Sequence, residues 1–136
     1  MSWLAWSLFS VACWGVWGIL PKLALQGLSW QQLFVFGSAT SFVLSLGLAA
    51  AVRPQLAVPL EAALPAIASG LLGTLGVVAL YISLTVGGRA SVVIPITAAY
   101  PVLTAALSVA LLREDINPAR VTAIVLFVIA TVLVAR

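Results

Sequence analysis

Charge is what this sequence has least of. Six basic and three acidic residues make up 7% of its 136 positions, whereas a soluble domain carries about 25%. With 64% of its residues hydrophobic, the chain cannot coat a water-soluble globule of this size. Histidine is absent, and cysteine occurs once, at Cys13 inside an apolar run. Those two absences exclude a disulfide framework, a His/Cys metal cluster and a Ser/His/Asp triad. A glycine-rich phosphate loop ending in Lys-Ser/Thr is missing as well. The acids Glu61, Glu114 and Asp115 border apolar runs instead of interrupting them. No paired-carboxylate site or proton relay therefore lies deep in a helix. The chain reads as a non-enzyme without cofactor or metal. Its basic residues are scattered singly, so the net charge of +3 builds no patch for nucleic acid. Met1-Ser2 offers no basic leader, and no small-residue cleavage site follows the first run, so a signal peptide is not predicted.

What is present is hydrocarbon. The mean hydropathy is +1.27, and each long gap between charges can hold the roughly 20 residues that cross about 30 Å of lipid. Five transmembrane helices are predicted in one domain over 1–136, at about 3–25, 30–52, 60–85, 90–112 and 118–135. The fold class is an all-α, five-helix membrane bundle, with the lipid bilayer as its first partner. The helix ends have chemical causes. Gln26-Gly27 supplies a C-terminal stop, and Ser29 with Gln32 has capping-box spacing. Arg53-Pro54 closes the second helix, because the residue before proline is pushed out of the helical region. Pro59 and Glu61 open the third helix, Gly87-Gly88-Arg89 ends it, and Asn117-Pro118 caps the last. The loops are short, which favours antiparallel neighbours.

Helix 1 carries the clearest stripe. Trp3, Ser7, Ser10, Trp14, Trp17 and Pro21 recur at alternating steps of four and three on one face. The stripe is either interhelical packing anchored by Trp3 at the interface or the wall of a cavity. Gly15 and Gly18 beside it suit close helix approach, while Lys22 either snorkels to the interface or meets an anionic group at a cavity mouth. Gly37, Ser41 and Ser45 in helix 2, with Ser69, Gly73 and Gly76 in helix 3, form small-residue packing seams. In helix 4, Thr97, Pro101, Thr104 and Ser108 share a face beside Tyr100. Pro95 and Pro101 cannot donate backbone hydrogen bonds, and the carbonyls they free need protein or a water-lined cavity. The substrate-binding candidates are therefore Trp14, Trp17, Lys22, Tyr100 and Thr104. The packing candidates are Gly15, Gly18, Gly37, Ser41 and Gly73.

With an inward N-terminus, Arg53, Arg113 and Arg120 lie on the cytoplasmic side and Lys22, Arg89 and Arg136 on the other. Orientation normally follows an excess of Lys and Arg inside, and this sequence has none. Two consequences stay open. Either the chain inserts both ways and pairs as an antiparallel homodimer, or a few unequally weighted charges or a partner fix one orientation.

Three segments carry a family resemblance. Ala12-Cys-Trp-Gly-Val-Trp-Gly-Ile-Leu-Pro-Lys22 resembles the opening helix of EamA-type proteins of the drug/metabolite transporter superfamily. Ile94-Pro-Ile-Thr-Ala-Ala-Tyr-Pro-Val-Leu-Thr104 is similar to the proline-containing fourth helix of that family. Leu111-Leu-Arg-Glu-Asp-Ile116 resembles the acidic junction before its fifth. The likeness covers essentially the whole chain. It implies one half of an inverted-repeat architecture, like the small five-helix bacterial and archaeal transporters, placed in a prokaryotic cytoplasmic (inner) membrane. It further implies a dimer, or a pairing with another half, that exports a small metabolite or amphipathic compound. On this resemblance Glu114 is the junction acid, with pairing to Arg113 or Arg120 as its local role. The small multidrug resistance relatives have four helices and a glutamate buried in the first, and this sequence has neither. A competing reading is a non-transporting membrane subunit, or a lipid-carrier flippase subunit, that assembles with a larger partner.

Overall fold

The computed structural model describes residues 2–115 and 117–135. Met1, Ile116 at the end of the acidic junction, and Arg136 of the charge balance lie outside the described residues. Every regular element described is an α-helix: α1 Trp3–Ala24, α2 Trp30–Val52, α3 Leu60–Thr85, α4 Ala90–Thr97, α5 Tyr100–Leu112 and α6 Pro118–Val134. The segments Trp3–Ala24, Trp30–Val52, Leu60–Thr85 and Ala90–Leu112 are each long and apolar enough to cross a membrane. Pro118–Val134 is a shorter apolar helix of 17 residues, about 25 Å long at ~1.5 Å per residue.

Local chemistry sets the ends. Ser2 Oγ accepts from Ala5 N to start α1. Ser29 and Gln32 form a reciprocal capping box at α2: Gln32 N donates to Ser29 Oγ at 3.3 Å, and Ser29 N donates to Gln32 Oε1 at 2.9 Å. α2 and α5 both stop on an arginine in the left-handed region, Arg53 at φ 50° and Arg113 at φ 55°. Each places a cation at the negative end of its helix. α3 ends ahead of Gly87, whose φ of 110° is a conformation that residues with a Cβ rarely adopt. Asn117 caps α6 by accepting from Arg120 N at 2.9 Å, with Pro118 at the first helical position.

The segment 90–112, read from the sequence as one helix, is divided at Ala98–Ala99. Alanine is the best helix former, so the cause lies further on. Pro101 has no N–H to donate to the Thr97 carbonyl, and its ring crowds that carbonyl. The chain answers with two tight hydrogen-bonded turns, Ala98 N to Ile94 O at 2.8 Å and Ala99 N to Ile96 O at 3.1 Å.

The chain forms two compact units, Met1–Gly87 and Gly88–Arg136. In the first, α3 lies against both α1 and α2. Its buried set is small and sits low on α3: Leu80, Tyr81 and Leu84, joined by Gly18 and Pro21 of α1. In the second unit α4 packs against α6. Leu, Val, Ile and Phe side chains remain uncovered along every long helix. Apolar surface on this scale requires a non-aqueous neighbour, and a bilayer supplies it.

Candidate functional site

The site grows out of the α2–α3 contact. On α2, Phe34, Gly37, Ser38 and Ser41 follow the three-four spacing of one helical face. On α3, Ser69, Gly73, Val77 and Tyr81 recur every four residues, with Gly70 and Thr74 alongside. Where these two faces meet, small side chains leave a cleft of about 520 Å³, closed at one edge by Trp17 of α1. Ser41 lies at the middle of α2 and Gly73 at the middle of α3. The cleft therefore begins halfway along both helices and runs toward the α3 C-terminus, where Tyr81 and Phe34 stand. No lining residue carries a charge.

The hydroxyl groups divide into two kinds. Ser7, Ser10, Thr40, Ser45, Thr74, Ser83 and Thr85 each donate to the carbonyl four residues back on their own helix. That is how a hydroxyl is ordinarily satisfied inside a membrane helix. Ser38, Ser41 and Ser69 do not, and among the described residues none of the three has a hydrogen-bond partner. All three line the cleft. Tyr81 shares this property. It is only 4% exposed, and its hydroxyl, 3.7 Å from where a Cβ on Gly37 would stand, has no partner among the described residues.

The residues singled out in the sequence take different places. Trp17, 37% exposed, lines the cleft, as do Gly37, Ser41 and Gly73. Trp14, one turn earlier, is 62% exposed and does not line it. Gly18 is buried, whereas a Cβ on Gly15 would meet nothing within 4 Å. Lys22 is half-buried, and its Nζ donates to the Leu84 carbonyl at 2.9 Å. It borders a separate recess of about 240 Å³ with Leu25, Gln26, Leu28 and Thr85.

In the second unit, Tyr100 opens α5 at 56% exposure and Thr104 Oγ1 donates to the Tyr100 carbonyl at 3.3 Å. The Glu114 carboxylate makes no ion pair with Arg113 or Arg120 among the described residues. Arg120 donates instead to the Asp115 carbonyl at 3.3 Å. Phe34 and Tyr81 were not singled out in the sequence. The signal for Tyr81 was there, since the seam from Ser69 to Gly73 continues in steps of four through Val77 to Tyr81.

A neutral cleft at mid-helix, among helices that leave most of their apolar surface bare, defines a multi-pass helical membrane protein. The chain belongs to the EamA-like transporter family, whose model matches residues 1–136. No curated protein and no solved structure matches it. The protein is thus an integral membrane protein of the drug/metabolite transporter type, and the family is one of transporters, not enzymes.

Proposed function

We propose that residues 1–136 form a single five-crossing EamA repeat, with α6 as the fifth crossing. In this reading it is one half of a secondary-type transporter that exports a small metabolite or amphipathic compound across a prokaryotic cytoplasmic membrane. The observation that carries this reading is the cleft, which begins halfway along α2 and α3 and presents hydroxyls that their own helices leave free. Transporters built from paired repeats hold their cargo near the bilayer midplane, where one repeat rocks against the other. A cleft open on one flank suits completion by a second, oppositely oriented repeat. The even split of basic residues suits a second copy of this chain inserted the other way up. Trp17 supplies an aromatic wall and Trp14 continues the same stripe toward the middle of α1. Lys22 holds the α1 end against the α3 terminus and borders the smaller recess there. In the second unit, Tyr100 and Thr104 are assigned as cargo contacts on separate grounds: they sit just past the broken turn at Ala98–Ala99, where backbone carbonyls are freed.

The test is export from cells that overproduce the protein. Small metabolites in the medium, compared by mass spectrometry with those from cells carrying an empty vector, should show at least one enriched compound. Trp17→Ala should cut that enrichment about tenfold, the size expected when an aromatic contact with the cargo is lost. Trp14→Ala, at a residue off the cleft, should cut it only if a second repeat brings that face into the path. Both variants should reach the membrane in normal amount. A medium identical with and without the protein sinks the transport reading, and normal export by a well-expressed Trp17→Ala removes Trp17 from the path.

A further inference from the structure

We propose that the α2–α3 cleft binds an electrically neutral molecule with a flat apolar face and at least one amide or hydroxyl group, and that Tyr81 is the residue that hydrogen-bonds it. The proposal rests on the reading of the cleft as the binding site of a transporter.

Neutrality follows from what surrounds the space. An ion placed at mid-helix would lose its water shell and find no opposite charge among the lining residues, and an uncompensated buried charge costs several kcal/mol or more. The nearest candidate counter-ion on α1, Lys22, borders the other recess and is engaged by the Leu84 carbonyl.

The need for hydrogen bonding follows from Tyr81. A hydroxyl on a side chain 96% covered by protein normally bonds a neighbouring group. One without a protein partner stays open to a cavity, since no buried side-chain oxygen among the described residues lacks a partner. This one faces the cleft beside Gly37 with no partner among the described residues. Ser38, Ser41 and Ser69 extend the same unsatisfied surface toward mid-helix. Each hydroxyl both donates and accepts, so the group suits an amide or hydroxyl of the ligand. The flat face follows from the walls. The Trp17 and Phe34 rings flank a floor in which Gly37, Gly70 and Gly73 keep no side chain, so a planar body can approach the backbone closely.

Acrylamide, a flat neutral amide, is the probe, and Trp17 is the reporter. In a variant whose other four tryptophans (Trp3, Trp6, Trp14 and Trp30) are replaced by Phe, Trp17 fluorescence is recorded in lipid vesicles with added acrylamide, iodide or caesium ion. Scaled to the quenching of free tryptophan in water by the same agents, acrylamide should quench several-fold more strongly than either ion. Its quenching should saturate with concentration, as binding does and collision does not. Tyr81→Phe, which keeps the ring and removes the hydroxyl, should lower acrylamide quenching about threefold, the loss of one neutral hydrogen bond. Gly37→Leu should abolish it by filling the cleft, since its Cβ meets the Tyr81 hydroxyl only at 3.7 Å, an ordinary contact. If the fourfold variant does not insert, the difference between the natural protein and Trp17→Phe reports the same quantity.

Equal scaled quenching by acrylamide and the ions overturns neutrality. Acrylamide quenching unaffected by Tyr81→Phe and Gly37→Leu overturns the site. Export that persists while acrylamide fails to quench removes the cleft assignment and leaves the transport reading standing. Selective quenching without export supports the site and removes the transport reading.

Discussion

Lys22 illustrates what a single residue does in a protein with so few charges. Its ammonium reaches the carbonyl of Leu84, 62 positions away in sequence, at 2.9 Å. Leu84 is in the last turn of α3, where carbonyls lack intrahelical donors and carry the negative end of the helix dipole. The bond is half-buried and ties the end of α1 to the end of α3 next to Pro21 and Leu84, both almost fully covered. Lys22→Met keeps the stem and loses the donor, and should cost about 1–2 kcal/mol, the range for a hydrogen bond to a charged group after partial solvent screening. Lys22→Arg should recover most of it. Reversible unfolding in mixed micelles measures both, and an unshifted midpoint for Lys22→Met would mean the contact adds nothing. The partner of Lys22 was not legible in the sequence. Helical spacing places a residue on a face of its own helix, but does not say which turn of which later helix will arrive there. Phe34 and Tyr81 escaped for another reason: they lie on the same single-helix stripes as Gly37, Ser41 and Gly73, but as large side chains they do not read as members of a small-residue seam.

At the scale of elements, the helix ends are written in local chemistry. Ser29 with Gln32, Arg53 before Pro54, the Gly87 turn and Asn117 before Pro118 each act within a few residues, so a linear reading reaches them. The gap at Ala98–Ala99 is the instructive departure, because the residues that leave the helix are the best helix formers and the agent is Pro101 downstream. Pro101→Ala restores an N–H facing the Thr97 carbonyl and removes the ring clash. It should join α4 and α5 into one helix over 90–112 and raise stability by up to about 3 kcal/mol, the cost of an internal proline. Amide hydrogen exchange reads this directly: protection at Ala99 should rise and residue 101 should gain a protected amide, while Ala98, already bonded to the Ile94 carbonyl, should change little. If the turn persists with unchanged exchange, the break is imposed by packing and not by proline. A more stable variant that exports less would tie the break to function, since irregular backbone inside a membrane is kept where it lines a cavity.

At the scale of the whole molecule the question is which way up the chain sits. The positive-inside preference acts through Lys and Arg flanking each crossing, and under the five crossings proposed above Arg53, Arg113 and Arg120 oppose Lys22, Arg89 and Arg136. With three against three, the two orientations differ by little free energy, since near an anionic leaflet each such residue is worth about 1 kcal/mol. Reporters fused after Arg136, one active only inside the cell and one only outside, should therefore both give signal. The decisive variant combines Gln55→Lys with Arg89→Gln. It moves the balance to four (Arg53, Lys at 55, Arg113, Arg120) against two (Lys22, Arg136), and touches neither the cleft nor the Lys22–Leu84 bond. A shift of about 2 kcal/mol is a factor near thirty in the ratio of orientations, so one reporter should all but fall silent. If export depends on an antiparallel pair of this chain, it should fall with that silence and return when the oppositely biased variant, carrying Arg53→Gln and Val86→Lys at a residue that lines neither cavity, is produced alongside. A single reporter signal from the natural sequence would remove dual insertion, and export would then require an opposite-facing half encoded elsewhere.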